Sequence, residues 1–449
     1  MLPGGTPDAY PPGVAILVAL ALALQETTPP APSPETPPNW LEFFHGHLRT
    51  MHRSRWTSGA SDSDLFNFLS IRAGNAEKDL YSGAASGRFQ SDLDGDRGAD
   101  GFSPFDSLSD SYRRATSAQV LTAYIDVTNP WPGVRLRAGR QILDEMPEAV
   151  PMDGALASLE ASPEVRFAAF GGRPVNYFES SPSGDAMFGG WIEAKPWTRS
   201  RARLEYLHLE DENTFGLFKD DLIGLMIEQG EGPWLLSARA TILESEARDI
   251  LLRGSAAYPE AGLTLDLRTY YLFEQQQALS YGLDSFALFL LPVEPYYQFS
   301  LGASQELSER FGVDATVVTR RLENADDEGD YNHEFSRWGF TVRSRKWPVE
   351  DLSVSVTGDF WQTRDDDFWT AGGAIQWQAA ESIRVDLSSS YTLYTIDALT
   401  GEERERVRLV SLGIRWKVNP DVTADAKFTA EENDVDGFRT LDVGVRYAF

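Results

Sequence analysis

The last twelve residues, Phe438 to Phe449, set the terms for the whole chain. From Leu441 onward every second residue is large or apolar, Leu441, Val443, Val445, Tyr447 and Phe449, with Asp442, Gly444, Arg446 and Ala448 between. Successive side chains of a strand point to opposite faces, so this period of two makes a strand with one greasy face and one polar face. The pattern recurs. Leu263, Leu265, Leu267 and Tyr271 alternate with Thr264, Asp266, Arg268 and Tyr270; Leu352, Val354, Val356 and Phe360 with Ser353, Ser355, Thr357 and Asp359. Ile383, Val385, Leu387 and Tyr391 do the same, as do Val422, Ala424, Ala426 and Phe428. Similar runs cover roughly 116–127, 133–141, 164–172, 186–195, 201–210, 217–228, 233–243, 248–258, 296–306, 311–321, 334–345, 368–379 and 406–418.

Alternating segments of about ten residues cut by turn residues are what a sheet spanning a membrane requires. Lipid offers no partner to a bare strand edge, so such a sheet must close on itself. A soluble all-β array would also alternate, but it would not need strands this long or a shared polar inner face. The expectation is an all-β chain: a single transmembrane antiparallel β-barrel of about 18 strands (range 16–22) over residues 61–449. Aromatics make up 12% of the residues, enough for the two interfacial girdles of a membrane barrel. With no cysteine, the chain has no disulfide and no thiolate chemistry.

Val14 to Leu24 is an apolar run of signal-peptide length, too short to span a membrane, although no Lys or Arg precedes it. Residues 1–25 are therefore expected to be a signal peptide. Residues 26–39 are rich in proline, which removes donors and fixes φ, so they read as an extended tether. Residues 40–56 carry His45, His47 and His52 with Arg49, Arg53 and Arg55. Two histidines at i and i+2 of a strand share a face and could hold a metal, but no close set of acidic partners follows. Residues 26–60 are expected to form a periplasmic tether and polar leading segment, with no metal site.

Short turns such as Lys195–Ser200, Lys346–Glu350 and Val418–Asp421 alternate with longer acidic stretches such as 323–330, 364–367 and 431–436. In a membrane barrel the long loops face outward from the cell. Two inserts, 142–163 and 274–293, are too long for turns, and either could fold inward as a constriction. The polar strand face includes Arg135, Arg137, Arg239, Arg253, Arg268, Arg343, Arg345 and Arg384, with Lys427 and Arg446. Asp266, Asp314, Asp359, Asp386, Asp425 and Asp442 oppose them. The net charge of -28 thus lies mostly in turns and loops, and it argues against nucleic acid as a partner. An Arg-lined lumen favours anions or hydroxylated solutes; alternatively the Arg and Asp residues merely satisfy one another and stiffen the wall.

Asp92 to Asp100 is acidic like a calcium loop, but its sixth and twelfth positions are Arg97 and Ser103 rather than the required Gly and Glu. His208 and His333 have no nucleophile motif beside them. The chain is therefore read as no enzyme and as carrying no cofactor.

The closing strand resembles that of bacterial outer-membrane β-barrels, which end in an aromatic residue. The resemblance implies that Leu441, Val443, Val445, Tyr447 and Phe449 are the signal read by the barrel-insertion machinery. Arg137-Ala-Gly-Arg-Gln141, then Asp153-Gly154 and Gly171-Gly-Arg-Pro-Val175, look like a segment of porin-like and alginate-export-type barrels. That resemblance covers about forty residues and implies an Arg-rich lumen passing an acidic polysaccharide. The functional expectation is a bacterial outer-membrane channel for passive passage of anionic or saccharide cargo, first of all an exopolysaccharide leaving the cell. The expected partners are outer-membrane lipid, the insertion machinery, periplasmic export proteins and the saccharide or small-solute cargo itself. A general diffusion porin and a plugged structural or adhesive barrel are the alternatives.

Overall fold

The structure is a computed structural model. It describes residues 43–449 apart from 77–78, 95–104, 106–114, 145, 147–148, 176–184, 214–215, 275–293, 329–331 and 397–402. The strands are β1 (Phe44–Trp56), β2 (Ser61–Ala73), β3 (Tyr81–Asp92), β4 (Thr116–Thr128), β5 (Val134–Leu143), β6 (Val150–Ser162), β7 (Val165–Pro174), β8 (Ala186–Ala194), β9 (Ser200–Asn213), β10 (Gly216–Glu231) and β11 (Trp234–Leu243). They continue as β12 (Glu246–Tyr258), β13 (Leu263–Leu272), β14 (Tyr296–Glu306), β15 (Phe311–Leu322), β16 (Phe335–Arg345), β17 (Leu352–Thr363), β18 (Asp367–Ala380), β19 (Ile383–Ile396), β20 (Glu403–Lys417), β21 (Val422–Glu432) and β22 (Gly437–Ala448). Each pairs antiparallel with the next, and β22 pairs with β1, so the 22-stranded sheet is closed.

Residues paired across neighbouring strands share a face, so register assigns the two sides of the wall. One row runs Leu265, Ala303, Ala315, Phe340; the row one residue away runs Asp266, Gly302, Thr316, Gly339, Asp359. Leu301, Phe340, Val356 and Leu412, all on the apolar face, remain exposed, because that face looks outward. The opposite face is polar: Thr341 bonds Thr357 at 2.8 Å and Ser388 bonds Ser411 at 2.8 Å. Outward aromatics gather near both ends of the strands. Trp131, Trp197, Trp234 and Trp347 ring the rim of short turns. On the other rim Phe360 lies between Trp338 and Trp369, with ring centroids 5.6 and 4.9 Å apart.

Both ends of the barrel chain meet at the short-turn rim. The Gly46 N–H donates to the Phe449 carbonyl at 2.8 Å, and Phe449 N–H returns to Gly46 at 3.0 Å. A Cβ at Gly46 would stand 2.3 Å from the Ser70 carbonyl and 3.0 Å from the Phe449 ring. The closing seam therefore needs glycine there.

Twenty-two strands exceed the expected number of about 18, and the four that the alternation did not mark are β1, β2, β3 and β6. β1 was expected to belong to a polar leading segment ending at residue 60, yet the barrel starts at Phe44. Its arginines are polar because they face inward: Arg49 meets Asp425 at 3.3 Å and Arg53 meets Asp442 at 2.8 Å. β6 lies inside the 142–163 insert, and β5 runs on to Leu143, so strand takes up most of it. Its alternation is invisible because both faces are apolar, Met152 and Leu156 inside, Ala155, Ala157 and Leu159 outside. β3 fails for the opposite reason, since Ser82, Ala84 and Ser86 on one face and Gly83, Ala85 and Gly87 on the other are all small. The signal segment, the proline tether and most of the 274–293 insert lie outside the described residues.

Candidate functional site on the lumenal wall

Register places all eight sequence-selected arginines on the inner face, but it does not leave them equal. Arg135 and Arg137 both grip Asp126, at 3.0 and 2.9 Å. Arg343 meets Asp314 at 2.6 Å, Arg345 meets Glu306 at 2.8 Å, and Arg384 meets Asp386 at 2.8 Å. The acidic partner of Arg239, Glu205, stands 4.0 Å away. Apart from Arg239, whose Nε and Nη2 have no hydrogen-bond partner among the described residues, these arginines are paired within the wall.

Arg253 and Arg268 are different. They are directly opposed across β12 and β13, both are exposed, and neither forms an ion pair among the described residues. Like charges facing each other across a sheet are destabilising, so this position favours a mobile anion between the two guanidiniums. Ser237 opposes Arg253, and Ser300 opposes Arg268, adding hydroxyl donors alongside. The nearest acid on the same face is Asp266, two residues from Arg268. Asp249, farther along, is occupied by Thr241 at 2.6 Å and Tyr270 at 3.1 Å.

Sequence reasoning missed an apolar patch on the inner wall. Leu143, Val150, Met152, Phe170, Met187, Leu207, Leu209 and Leu222 form one buried cluster across β5 to β10, joined by Met146 from between β5 and β6. Its signal lay in β9. Leu204 faces outward near the start of the strand, whereas Leu207 and Leu209 face inward and His208 outward. The polarity of the wall thus inverts. Above that level the outer face is charged: Arg140 pairs bidentately with Asp153, and His208 lies 2.9 Å from Asp221. The wall of β5 to β10 rises past the apolar belt, and its inner side becomes a small packed core.

Twenty-two strands spaced ~4.8 Å and tilted by ~40° enclose a backbone circle roughly 40 Å across. Side chains on opposite walls of so wide a barrel cannot meet, so the passage is set by what fills it. The inner core narrows one side. On another, Phe105 is buried against β1 and β22: its carbonyl accepts from Arg55 at 2.6 Å and its ring meets Phe438 edge-on at 5.7 Å.

The remaining sequence candidates scatter. His45 faces inward at the short-turn rim, while His52 faces outward and bonds Ser63 at 2.9 Å. His333 sits beside Glu328 near the other rim. Asp62, Asp92 and Asp94 come together at the long-loop rim, where Arg55 holds Asp62 at 2.5 Å; the rest of the acidic loop, from Gly95 on, lies outside the described residues.

No helix among the described residues is long and apolar enough to cross a membrane, and the outward apolar belt with its two aromatic girdles assigns that task to the strands. The fold is a transmembrane β-barrel of the bacterial outer-membrane type. No family model matches the sequence, and no curated protein does. Among solved structures, the translocation pore of the P pilus usher PapC is 8% identical with a TM-score of 0.51, matching 90% of this chain and 99% of its own. OpdK of Pseudomonas aeruginosa, solved with vanillate, is 11% identical with a TM-score of 0.40, over 90% and 98% of the two chains. OccAB4 of Acinetobacter baumannii is 7% identical with a TM-score of 0.42, over 90% and 97%. Of these three, the PapC likeness is close enough to bear on the fold, and at that identity it speaks to the fold alone.

Proposed function

We propose that this barrel is an outer-membrane channel passing small, hydrophilic, anionic solutes passively through its lumen. The observation that carries this reading is Arg253 and Arg268, opposed on the inner wall with no ion pair among the described residues, beside arginines that are paired in place. An opposed arginine pair without an acid partner binds an anion strongly enough to admit it and weakly enough to release it, as conduction requires. Neighbouring hydroxyls suit a solute that also carries hydroxyl groups. The function is transport without catalysis, and the contact of all eight arginines with cargo belongs to this reading. So does insertion of the barrel through its Leu441–Phe449 strand.

Export of a long exopolysaccharide, the narrower expectation, gains no support from the fold or from the comparisons, and periplasmic export partners are not needed for passive passage. A plugged barrel is the second reading, favoured by the buried inner core and by Phe105. Planar-bilayer recording under a KCl gradient decides. The purified protein is expected to conduct with anion preference, and R253Q/R268Q is expected to move the reversal potential toward that of an unselective pore. Cation preference in the native protein, or no effect of the double substitution, overturns the anion reading. Absence of conductance favours the plug.

A further inference from the structure

A cavity of about 530 Å³ opens at the short-turn rim, between the inner faces of β1 to β5 and residues 74–76 that follow β2. It lies across the barrel from Arg253 and Arg268, which sit on β12 and β13. Its wall carries His45, Arg72, Ser82, Tyr124, Asp126 and Arg135. Register explains the hollow: the row His45, Arg72, Ala84, Tyr124 has a methyl group where its neighbours have long side chains. The described residues between β2 and β3 are held in place. Thr128 donates its hydroxyl to the Ala76 carbonyl at 3.0 Å and its N–H to Leu80 at 2.9 Å, and the Asn75 N–H donates to Asp79 at 2.7 Å.

The chemistry inside is one-sided. Among the described lining residues the only acid is Asp126, and it is taken up by Arg135 and by Arg137, each through two hydrogen bonds. Arg137 also lies over the Tyr124 ring, 4.1 Å from its centroid. Arg72 is exposed and forms no ion pair among the described residues. The Ser82 hydroxyl is the second, independent sign. Ser82 is 7% exposed, and its oxygen has no hydrogen-bond partner among the described residues. A buried hydroxyl without a partner costs stability unless a ligand supplies one. The described lining thus offers a guanidinium, a hydroxyl donor and an aromatic ring, with its one carboxylate already taken.

We infer that this pocket is a binding site for a small organic carboxylate, of the size of a sugar acid, whose carboxylate meets Arg72 and Ser82. A volume of this order suits a single small molecule and excludes a polymer chain. The site stands on its own residues and does not require that the barrel conduct.

Isothermal titration of the purified full-length barrel in detergent tests it, with glucuronate as the probe and glucose as its uncharged counterpart. Glucuronate is expected to bind and glucose not to. With R253Q/R268Q as the background, which removes the anion pair of the channel reading, Arg72→Gln is expected to weaken glucuronate binding by about tenfold or more, the size of a lost charge-assisted hydrogen bond; Ser82→Ala weakens it less. Heat-modifiable migration on gels reports whether each variant is a folded barrel. Should Arg72→Gln not fold, Ala84→Leu, which fills the hollow without touching a charge, must abolish binding. Equal binding of glucose, no binding of glucuronate, full binding by Arg72→Gln or by Ala84→Leu, or loss of binding only in R253Q/R268Q each overturns the proposal. The last outcome would leave the channel reading intact, and a barrel that binds at Arg72 but does not conduct would leave this one intact.

Discussion

At the level of single residues, much of the wall consists of locally closed charge pairs, and the exceptions are what the proposed function rests on. Asp126, almost wholly buried, accepts from two arginines, whereas Arg253 and Arg268 face each other without an acid between them. Local pairing also ties the seam at the long-loop rim. Asp436 accepts the Gly437 N–H at 2.7 Å and the Ser58 hydroxyl at 2.9 Å, joining the loops after β1 and β21. Those bonds, the Gly437 amide first, favour the charged form and hold the Asp436 carboxyl below its ordinary range. A folded-state pKa below the unfolded one means the tie is complete above the unfolded value and is lost as pH falls through the folded one. An NMR titration of the Gly437 amide should therefore show its midpoint below the ordinary aspartate pKa of about 4. A midpoint at or above it would show that the Asp436 bonds do not persist in solution.

Along single strands, the legible feature was period two, and it worked wherever one face was apolar and the other polar. β13, β17, β19 and β21 announce themselves this way. β6 does not, because Met152 and Leu156 bury inward against β5 and β7 while Ala155, Ala157 and Leu159 meet lipid. β9 is the more instructive case, since its apolar parity changes between Leu204 and Leu207. Such a reversal marks the level where the wall leaves the membrane, and it can be read from sequence once sought. It also yields a contrast within one strand. Leu207 is 1% exposed inside the core, and Leu204 is 52% exposed on the outer face. Leu207→Ala should cost about 2–5 kcal/mol, as for other buried leucines. Leu204→Ala, which leaves no cavity, should cost clearly less. Reversible denaturant unfolding of the barrel in lipid vesicles would measure both, and equal losses would mean that the inner cluster is not a packed core.

For the molecule as a whole, stability depends on closure, because every strand has two partners only if β22 finds β1. Phe449 contributes both backbone bonds to Gly46 and a ring beside Tyr447. Removing Phe449, or replacing Gly46 with alanine so that a Cβ presses on the Ser70 carbonyl, should slow folding into vesicles and leave more unclosed species on heat-modifiable gels. A comparable truncation at the Pro-rich start should not; equal effects would count against the seam as the critical joint. Sequence alone determined that the chain is a closed antiparallel barrel, which face of most strands looks inward, and that arginines line that face. It could do so because side-chain alternation is a local property, written into neighbouring residues. Only the tertiary structure decided how many strands there are, which arginines are already neutralised, and where a cavity remains. Those outcomes depend on which residues register brings together across strands, as with Arg253 and Arg268, or Arg72, Ala84 and Tyr124, and separations along the chain do not encode them.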